Sequence, residues 1–545
     1  MVTQLVAGSL PPELIDQVDA LLIQPDRNRP EVKAFEAACE KTNESPAALL
    51  LRCGAFPDAY HWHFRRFAAE RFPKGIGFPE LPEPPTTADL PLADVQAVSI
   101  DDANTTEIDD ALSVTHLPGI GWRIGVHIAA PGLGILPGSP HDAVARARLS
   151  TVYMPGHKIT MLPDALVARF TLAEGKACPA LSLYLNVSED FEILSHESRI
   201  ERVPIAANLR HDQLDHVVTQ AWLDNPNFAH DTNVALPAMP REQLSFLFRL
   251  AQHLKAQREV VRGKPETFNR PDYNFRLVGN DGQAPQGHEQ VEISVRQRGA
   301  PLDLMVAEAM ILANSTWGQW LGELGVPAIY RSQASLQPGV KVRMGTKALP
   351  HAGIGVPSYA WSTSPLRRYT DLVNQWQIIA CVKHGNTAAL VAPFKPKDAQ
   401  LLSIISAFDA AYTSYNAYQA GMERFWTLQY LQQHKITELP ATVFKVFPGQ
   451  PPMARADHLP LVLPVMGASD LPRGAQVLLR LSEIDDISLD ISGQLLSVLN
   501  SADASSDASH DAQALDEDDD TSAGPIAIAV DVNEEQPAGT EATGA

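Results

Sequence analysis

The chain has 545 residues, a net charge of −21, 45% hydrophobic residues and 20% charged residues. This length is typical of three or four domains, and the composition is that of a globular protein. The sequence contains no apolar run of about 18 residues, which argues against a membrane-spanning helix. Its start lacks the basic and apolar pattern of a secretory signal. We therefore expect a cytoplasmic protein that has no membrane partner.

The charge is unevenly distributed along the chain. Residues 501–545 contain twelve acidic residues and no Lys or Arg, so a net charge of −9 remains for the first 500 residues. This value does not exclude a nucleic-acid partner, because the concentration of basic side chains along a binding path matters more. The four cysteines are too widely spaced for a zinc site or a disulfide framework, which fits a reducing compartment.

Residues 1–78 are predicted to form a helical module that resembles a helix-turn-helix bundle. Four segments start near Pro, Ser or Asp and then show apolar positions at helical spacing. The segment His61–Lys74 mixes basic and aromatic side chains, which fits either a nucleic-acid face or a solvated rim over an aromatic core. Residues 79–94 are rich in Pro and acidic residues and are predicted to be a linker. The four helical segments are 11–24, 29–41, 45–54 and 58–72.

Residues 95–433 are predicted to have an α+β layout, in which strand patterns come first and long helix patterns follow. The strands alternate apolar and polar residues, whereas the helices repeat apolar residues at a period of 3.6. The predicted strands are Ala111–Thr115, Trp122–Ile128 and Ala180–Val187, and the predicted helices are Leu302–Leu324, Pro365–Lys383 and 401–433.

The C-terminal part has two different compositions. Residues 437–499 contain short strand-like runs separated by turn residues, which predicts a small β-barrel of the OB type that binds RNA. From residue 500 onward Ala, Ser, Asp and Glu dominate. Such a segment cannot bury enough apolar surface to fold, so residues 500–545 are predicted to be a disordered acidic tail.

The segment Ser99–Val114 is the most informative in the chain, because five acidic side chains fall within ten residues before a predicted strand. Carboxylates beside apolar sequence repel one another and are costly to desolvate, and a divalent cation relieves both problems. Carboxylate oxygens suit Mg²⁺ or Mn²⁺. The spacing fails the calcium-loop pattern of an EF-hand at four positions. By itself, an ordinary acidic turn would explain the segment equally well.

Five segments in the same order resemble the motifs of the ribonuclease II family, the RNB domain exoribonucleases. The resemblance covers roughly residues 95–433 and implies processive 3′→5′ hydrolysis of single-stranded RNA with release of nucleoside 5′-monophosphates. It also implies an RNB-type catalytic domain, here flanked by the atypical helical module and by the OB-type barrel. The five segments are 99–114 with its ending IDDALSV, GVHIAAP at 125–131, RLSTVYMP at 148–155 with MLP at 161–163, AEAMILAN at 307–314, and TSPLRRYTDL at 363–372.

The resemblance implies that Asp101, Glu107, Asp109 and Asp110 form a site for Mg²⁺, with Mn²⁺ as a possible substitute. Asp101 and Asp110 are the predicted direct ligands. Asp109 and Glu107 would hold a second metal, the attacking water or the terminal ribose hydroxyl. The family usually has Asp where this chain has Glu107. Because neighbouring residues of a regular strand point to opposite faces, the site should lie in irregular backbone before the strand.

The resemblance also implies a basic partner for this site. Arg367 is the predicted contact of the scissile phosphate, and Arg368 would share this role, since Arg binds phosphate in a bidentate fork. Ser364 could cap the helix that follows, and a helix N-terminus attracts phosphate. Asp371 could orient Arg367, or the two could form an ordinary surface ion pair.

Four further residues are predicted to bind RNA. Tyr153 resembles the aromatic residue that stacks on the 3′-terminal base. Phe268 is either the opposing clamp or a core aromatic residue. Glu308 would accept a hydrogen bond from a ribose 2′-OH, or form a buried ion pair. Glu423 matches a family position near the active site more weakly. We interpret His127 as structural.

The sequence thus predicts a monomeric exoribonuclease whose partner is single-stranded RNA, and it does not indicate protein partners. One alternative is a non-catalytic RNA-binding protein on the same fold. Another is a metal-dependent phosphodiesterase that acts on short oligonucleotides or on DNA.

Overall fold

The computed structural model describes residues 1–500 and Ala527–Ile528, apart from 24, 104, 226–237, 267–270, 281–282, 297–298, 338 and 469. None of the helices in this part of the chain is long and apolar enough to cross a bilayer.

The first 78 residues contain six helices that enclose a small core. The side chains of Ser45 and Asp58 accept hydrogen bonds from backbone N–H groups of the helices that they precede, as N-capping residues do. Apolar side chains such as Leu5, Leu14 and Phe35 are almost completely buried between the helices. Helical structure is therefore confirmed in all four predicted segments, although the segment 11–24 forms two short helices, and α1 is an addition. The helices are α1 (Val2–Val6), α2 (Pro12–Ile15), α3 (Val18–Ile23), α4 (Pro30–Thr42), α5 (Pro46–Arg52) and α6 (Ala59–Arg71).

The central region combines strands and helices, as the sequence predicted. In chain order its elements are β1 (Ala97–Asp101), β2 (Asp110–Leu117), β3 (Gly121–Ala129), α7 (Pro140–Arg148), β4 (Val152–Met154), β5 (His157–Ile159), α8 (Asp164–Phe170), β6 (Ala177–Val187), β7 (Ile193–Arg210), α9 (His211–Leu214), α10 (Gln220–Asp224), α11 (Arg241–Arg262), β8 (Asp272–Val278), β9 (Gln290–Arg296), α12 (Pro301–Glu323), β10 (Tyr330–Ser332), β11 (Arg343–Gly345), α13 (Tyr369–His384), α14 (Ala388–Val391) and α15 (Ala399–Gln433). Short 3-10 helices lie at Pro131–Leu133 and Gly385–Thr387.

A closed barrel positions the acidic segment. Its strand order is β1-β2-β3-β6-β7, and β1 closes it by pairing in parallel with β7. On one face of β1, β2 and β3 the alternating side chains are apolar and pack against α11 and α12. Val98 of β1 pairs with Leu112 of β2, so the end of β1 lies beside the start of β2. The acidic residues at these two strand ends are therefore held by a rigid scaffold.

His127 of β3 belongs to this scaffold. Its imidazole is fully buried, with Nε2 at 2.8 Å from Ser113 Oγ and Nδ1 at 2.8 Å from Ser182 Oγ. Burial lowers the pKa of His127 to about 3, so the ring is neutral. The structural interpretation of this histidine is confirmed.

The helix predicted at Pro365–Lys383 starts later than expected, because α13 begins at Tyr369. The prediction that Ser364 caps this helix is therefore wrong, and Arg368 occupies the N-cap position. Asp371 explains the difference, since its carboxylate accepts a hydrogen bond from the Ser364 backbone N–H at 2.9 Å. This contact holds the residues before α13 in a turn instead of a first helical turn.

The C-terminal strands form a second closed barrel, as predicted, and this barrel has five strands. The strand order is β12-β13-β14-β16-β15. Arg424 of α15 connects this barrel to the central region by donating hydrogen bonds to the carbonyl oxygens of Leu489 and Val462, both at 2.7 Å. Of the predicted tail, the structure describes Asn500 and β17, which pairs in parallel with β11. The strands are β12 (Glu438–Lys445), β13 (Met453–Ala456), β14 (Val462–Met466), β15 (Gln476–Leu481), β16 (Gly493–Asn500) and β17 (Ala527–Ile528).

The aromatic residues of α6 attach the N-terminal helices to α15. The ring of Phe67 stacks on that of Tyr418 with centroids 3.8 Å apart, and Tyr60 packs against Trp426. Arg65, on the same helix, pairs with Asp19 at 2.7 Å. Of the two interpretations of the segment His61–Lys74, the structure supports the rim over an aromatic core.

Candidate active site

Asp109 and Arg367 meet although 258 residues separate them in sequence. Asp109 lies in irregular backbone between β1 and β2 and is 3% exposed. Its Oδ2 accepts a hydrogen bond from Arg367 Nε at 3.1 Å, and its Oδ1 accepts one from the backbone N–H of Leu366 at 2.8 Å. Arg367 Nη2 also donates to Ser364 Oγ at 2.9 Å. The turn before α13 is therefore clamped onto the acidic segment.

Arg367 is held in place but still accessible. Its side chain is 41% exposed, whereas that of Asp109 is 3% exposed. The planar guanidinium carries five N–H donors, so the contacts with Asp109 and Ser364 leave capacity for a phosphate. The arrangement presents a fixed cation at the edge of a cluster of carboxylates.

Asp371 does not orient Arg367, so this prediction is wrong. Its carboxylate forms a two-point pair with Arg368, from Nε at 2.9 Å and from Nη2 at 2.7 Å. The guanidinium of Arg368 also lies 4.2 Å from the ring centroid of Trp361. Only 14% of the Arg368 side chain is exposed. The predicted phosphate contact of Arg368 therefore depends on a group that already has protein partners.

The carboxylates of Asp101 and Asp110 lie at the end of β1 and at the start of β2. We call them the strand-end carboxylates. Asp101 Oδ2 is buried with no hydrogen-bond partner among the described residues. Burial raises the pKa of Asp110 to about 8, and the negative charges of Asp101 and Asp109 act in the same direction. Burial also raises the pKa of Asp101. Two crowded carboxylates of this kind match the donor set of a divalent cation.

Glu107 and Asp109 have protein partners, and we call them the paired carboxylates. Burial raises the pKa of Asp109 to about 7, although the positive charge of Arg367 opposes this shift. Glu107 Oε2 accepts hydrogen bonds from Lys158 Nζ at 2.8 Å and from the Tyr153 hydroxyl at 3.3 Å. Glu107 Oε1 accepts one from Thr151 Oγ1 at 3.2 Å. Each paired carboxylate thus has a cation of the chain beside it.

The strands β4 and β5 carry the partners of Glu107. They form a hairpin with Pro155 and Gly156 at its turn, and Gly156 has a φ of 72°, which suits glycine. Tyr153 pairs directly with Lys158, so both side chains lie on one face of the hairpin. The sequence analysis did not identify Lys158. The Pro-Gly turn was the signal that could have indicated this hairpin.

The four predicted metal ligands do not form one compact cage. Among the described residues, one group of three His, Asp or Glu side chains has ligand atoms within 4.8 Å of one another, and it consists of His211, Asp215 and Asp303. Its histidine already has carboxylate oxygens near both ring nitrogens, Asp215 Oδ1 at 3.0 Å and Asp303 Oδ1 at 3.6 Å. In the acidic segment, the strand-end carboxylates are the pair that fits a cation.

The remaining predicted RNA-binding residues have different surroundings. Glu308 is 2% exposed on α12 and forms an ion pair with Arg258, so the structure shows the buried ion pair that the sequence left open. Glu423 accepts a hydrogen bond from Gln419 on the same helix at 3.0 Å. Tyr153 is 36% exposed beside Glu107. Phe268 lies outside the described residues.

The family model of the RNB domain matches residues 90–340 and 335–384 of this chain. The chain belongs to the RNB domain family. The match starts just before β1 and ends with α13, so it contains both the acidic segment and the turn that carries Arg367.

Two curated relatives of this RNB protein are ribonucleases. It is 26% identical over 418 residues to an uncharacterized ribonuclease of Synechocystis, which covers 71% of this chain and 57% of that protein. It is 26% identical over 365 residues to exoribonuclease 2 of Vibrio parahaemolyticus, which covers 57% of this chain and 52% of that protein. The chain spans about half the length of these relatives.

Solved structures share the fold of this RNB protein at low identity. An active-site mutant of the Dss1 exoribonuclease from Candida glabrata has a TM-score of 0.69 at 18% identity, covering 88% of this chain and 69% of that one. RNase R of Mycoplasma genitalium in complex with ribose-methylated single-stranded RNA has a TM-score of 0.61 at 16% identity, covering 75% and 72%. The yeast pseudonuclease Ssd1 has a TM-score of 0.55 at 16% identity, covering 76% and 56%.

Proposed function

We propose that this RNB protein is an exoribonuclease that hydrolyses single-stranded RNA processively from the 3′ end and releases nucleoside 5′-monophosphates. The observation that carries the proposal is the contact of Arg367 with Asp109, next to the strand-end carboxylates. It combines a site for a cation with an accessible guanidinium, and both can stabilise the negative charge that develops during phosphodiester hydrolysis.

Asp101 and Asp110 would hold a divalent cation, Mg²⁺ or Mn²⁺. The buried Asp101 Oδ2 and the raised pKa of Asp110 support this assignment, because a cation would compensate both. When bound, such a cation polarises a phosphate and lowers the pKa of a bound water. Asp109 would keep Arg367 oriented, and Arg367 would bind the phosphate in a two-point contact.

Tyr153 would stack on the base at the 3′ end of the RNA. Its ring is partly exposed and its hydroxyl is tied to Glu107, so it offers a fixed platform beside the site. Stacking on a terminal base is tolerant of sequence and contributes about 1–3 kcal/mol. An exonuclease that acts on RNA of any sequence needs recognition of this kind.

A non-catalytic RNA-binding protein is the second candidate, because this chain also shares its fold with a pseudonuclease. The acidic side chains and Arg367 argue for catalysis, since a protein that only binds RNA would not need buried carboxylates that repel phosphate. A phosphodiesterase that acts on DNA would differ from both in cleaving a 2′-deoxy oligomer.

A time course on a 5′-labelled single-stranded RNA with Mg²⁺, Mn²⁺ or a chelator tests the proposal. We expect full-length RNA to be converted into a short 5′-labelled end product with few intermediates, nucleoside 5′-monophosphates on chromatography of the unlabelled product, and no reaction in chelator. RNA binding without shortening would favour the non-catalytic candidate, and equal cleavage of a 2′-deoxy oligomer would favour the phosphodiesterase. The cytoplasmic location and the monomeric state stay predictions.

A further inference from the structure

Lys158 occupies a position in the site that the sequence analysis did not assign. Its ammonium lies 2.8 Å from Glu107 Oε2 and 2.7 Å from Thr106 Oγ1. The Lys158 side chain is 31% exposed, whereas that of Glu107 is 3% exposed. The lysine thus covers the buried carboxylate and borders on solvent.

Glu107 has little capacity left for a metal ion. Its two carboxylate oxygens already accept hydrogen bonds from Thr151, Tyr153 and Lys158. A carboxylate offers about four lone-pair sites, so three contacts from the protein nearly fill it. Glu107 therefore acts as an anchor for the side chains around it.

Lys158, in contrast, has capacity left on its exposed side. An ammonium carries three N–H donors, and two of them are directed at Glu107 and Thr106. No further acceptor is within hydrogen-bond distance of Lys158 Nζ in the described part of the chain. An ammonium at the edge of an acidic site attracts phosphate as a point charge.

The hairpin places this charge beside the base platform. Tyr153 and Lys158 are direct cross-strand partners, so they share a face, and both are tied to the same carboxylate. Burial raises the pKa of the Tyr153 hydroxyl, and the positive charge of Arg367 acts in the opposite direction, so Arg367 lies close enough to Tyr153 to influence it. Cations from two distant parts of the chain therefore lie near the ring that would receive a base.

We propose that Lys158 contacts a phosphate of the bound RNA, and that Glu107 anchors Lys158 and Tyr153 instead of holding a metal ion. This inference rests on the proposed function for its substrate. The inference also gives a role to the Glu at position 107, where the family usually has Asp. The extra methylene of Glu107 extends its carboxylate towards the hairpin, so a shorter Asp would anchor Lys158 and Tyr153 less well.

The salt dependence of RNA binding tests the contact without turnover. In chelator, the affinity for a 5′-labelled single-stranded RNA is measured by anisotropy from about 50 to about 200 mM salt. Loss of one phosphate contact reduces the slope of log affinity against log salt by about 0.7 for single strands. We expect this reduction for Lys158→Met and a wild-type slope for Lys158→Arg.

Lys395→Met is the matched control, because Lys395 is an exposed lysine that contacts only the Ala389 carbonyl oxygen among the hydrogen bonds of the described residues. It should leave the slope unchanged. A wild-type slope for Lys158→Met would overturn the inference, and so would an equal reduction for Lys395→Met.

Two further variants separate the contact from a loss of folding. Lys158→Met leaves the Glu107 carboxylate buried without its cation, so thermal unfolding is measured beside binding. The double variant Glu107→Gln/Lys158→Met removes both charges and should regain stability while keeping the reduced slope. Glu107→Gln alone removes the charge that anchors Lys158 and should reduce the slope in part, and a wild-type slope there would overturn the anchoring role of Glu107.

The outcomes for the inference and for the proposed function are distinct. If the wild-type protein binds RNA but never shortens it, the proposed function fails while the slopes remain measurable. If the wild-type protein shortens RNA and the slope does not depend on Lys158, only the inference fails.

Discussion

The acidic segment contains two pairs of carboxylates, and the fold provides cationic partners for only one of the pairs. The paired carboxylates, Glu107 and Asp109, face Lys158 and Arg367 of the same chain. The strand-end carboxylates, Asp101 and Asp110, face each other's negative charge, and neither has a cationic partner at ion-pair distance among the described residues. Burial of a carboxylate is costly unless a cation compensates it. The comparison therefore favours the strand-end pair as the one that a cation from outside the chain would compensate.

The largest effect should come from the strand-end pair. Asp110→Asn should reduce RNA turnover by at least about a hundredfold, since even changes around metal ligands cost 10–100-fold. Binding of RNA in chelator should survive, because the substitution adds no negative charge and keeps the size of the side chain. The rate of RNA turnover and the anisotropy of labelled RNA are measured for the same variants. Asp102→Asn, which changes an exposed residue next to Asp101, is the matched control. Full turnover by Asp110→Asn would refute the site.

Thermal unfolding should separate the two pairs directly. A cation at about 100 times its Kd stabilises a protein by about 2.7 kcal/mol. Wild type and Glu107→Gln should show this rise in melting temperature with Mn²⁺, whereas Asp101→Asn and Asp110→Asn should lose it. An equal rise in all four proteins would mean that the cation binds elsewhere, with the group at His211 as the next candidate.

The pairing of Asp109 with Arg367 should affect stability without any metal. Arg367→Gln leaves Asp109 buried without its cation, and an unsatisfied buried group costs about 1–3 kcal/mol. The lower end is expected, because 41% of the Arg367 side chain is exposed and solvent screens the pair. Adding Asp109→Asn should recover part of this loss. Chemical denaturation in chelator measures both variants, and strictly additive losses would contradict the pairing.

The pH dependence of stability, measured in chelator, should show whether the pKa of the strand-end carboxylate Asp110 is raised. Burial raises the pKa of Asp110 to about 8, above the value of about 3.9 for an unfolded chain. The stability from this group is complete below the unfolded value and is lost as pH rises through the folded value. The melting temperature of wild type should therefore fall relative to that of Asp110→Asn between about pH 4 and pH 8. A constant difference would show that Asp110 is not perturbed.

The smallest effect is expected for Glu107→Asp. The shorter side chain withdraws from Lys158, and a pair that is partly exposed contributes about 0–1 kcal/mol. Turnover should change by less than about fivefold. Rates with Mg²⁺ and with Mn²⁺ are compared, and Lys158→Arg serves as the variant that keeps the charge. A loss as large as that of Asp110→Asn would place Glu107 among the metal ligands.

The amino-acid sequence by itself determined the elements of this protein and the chemistry of its site. The strands β2, β3 and β6 and the long helices α12 and α15 were predicted within a few residues, because periodicity and capping act over a few positions, whereas β1 and β7 were not predicted. The sequence also predicted the helical character of the N-terminal module and the presence of the second barrel. The order of the motifs also predicted the family, and the match to the RNB domain confirms it.

Only the tertiary structure decided which charged side chains form ion pairs with each other. Asp371 lies four residues after Arg367 yet binds Arg368, while Arg367 binds Asp109 at a separation of 258 residues. The sequence did not decide whether Glu308 contacts RNA or forms a buried ion pair. The structure shows the ion pair, because α11 places Arg258 beside Glu308. Lys158 could not be chosen among the lysines before the hairpin placed it over Glu107. Local pattern specifies helices and strands, but the partner of a buried charge depends on packing between distant segments.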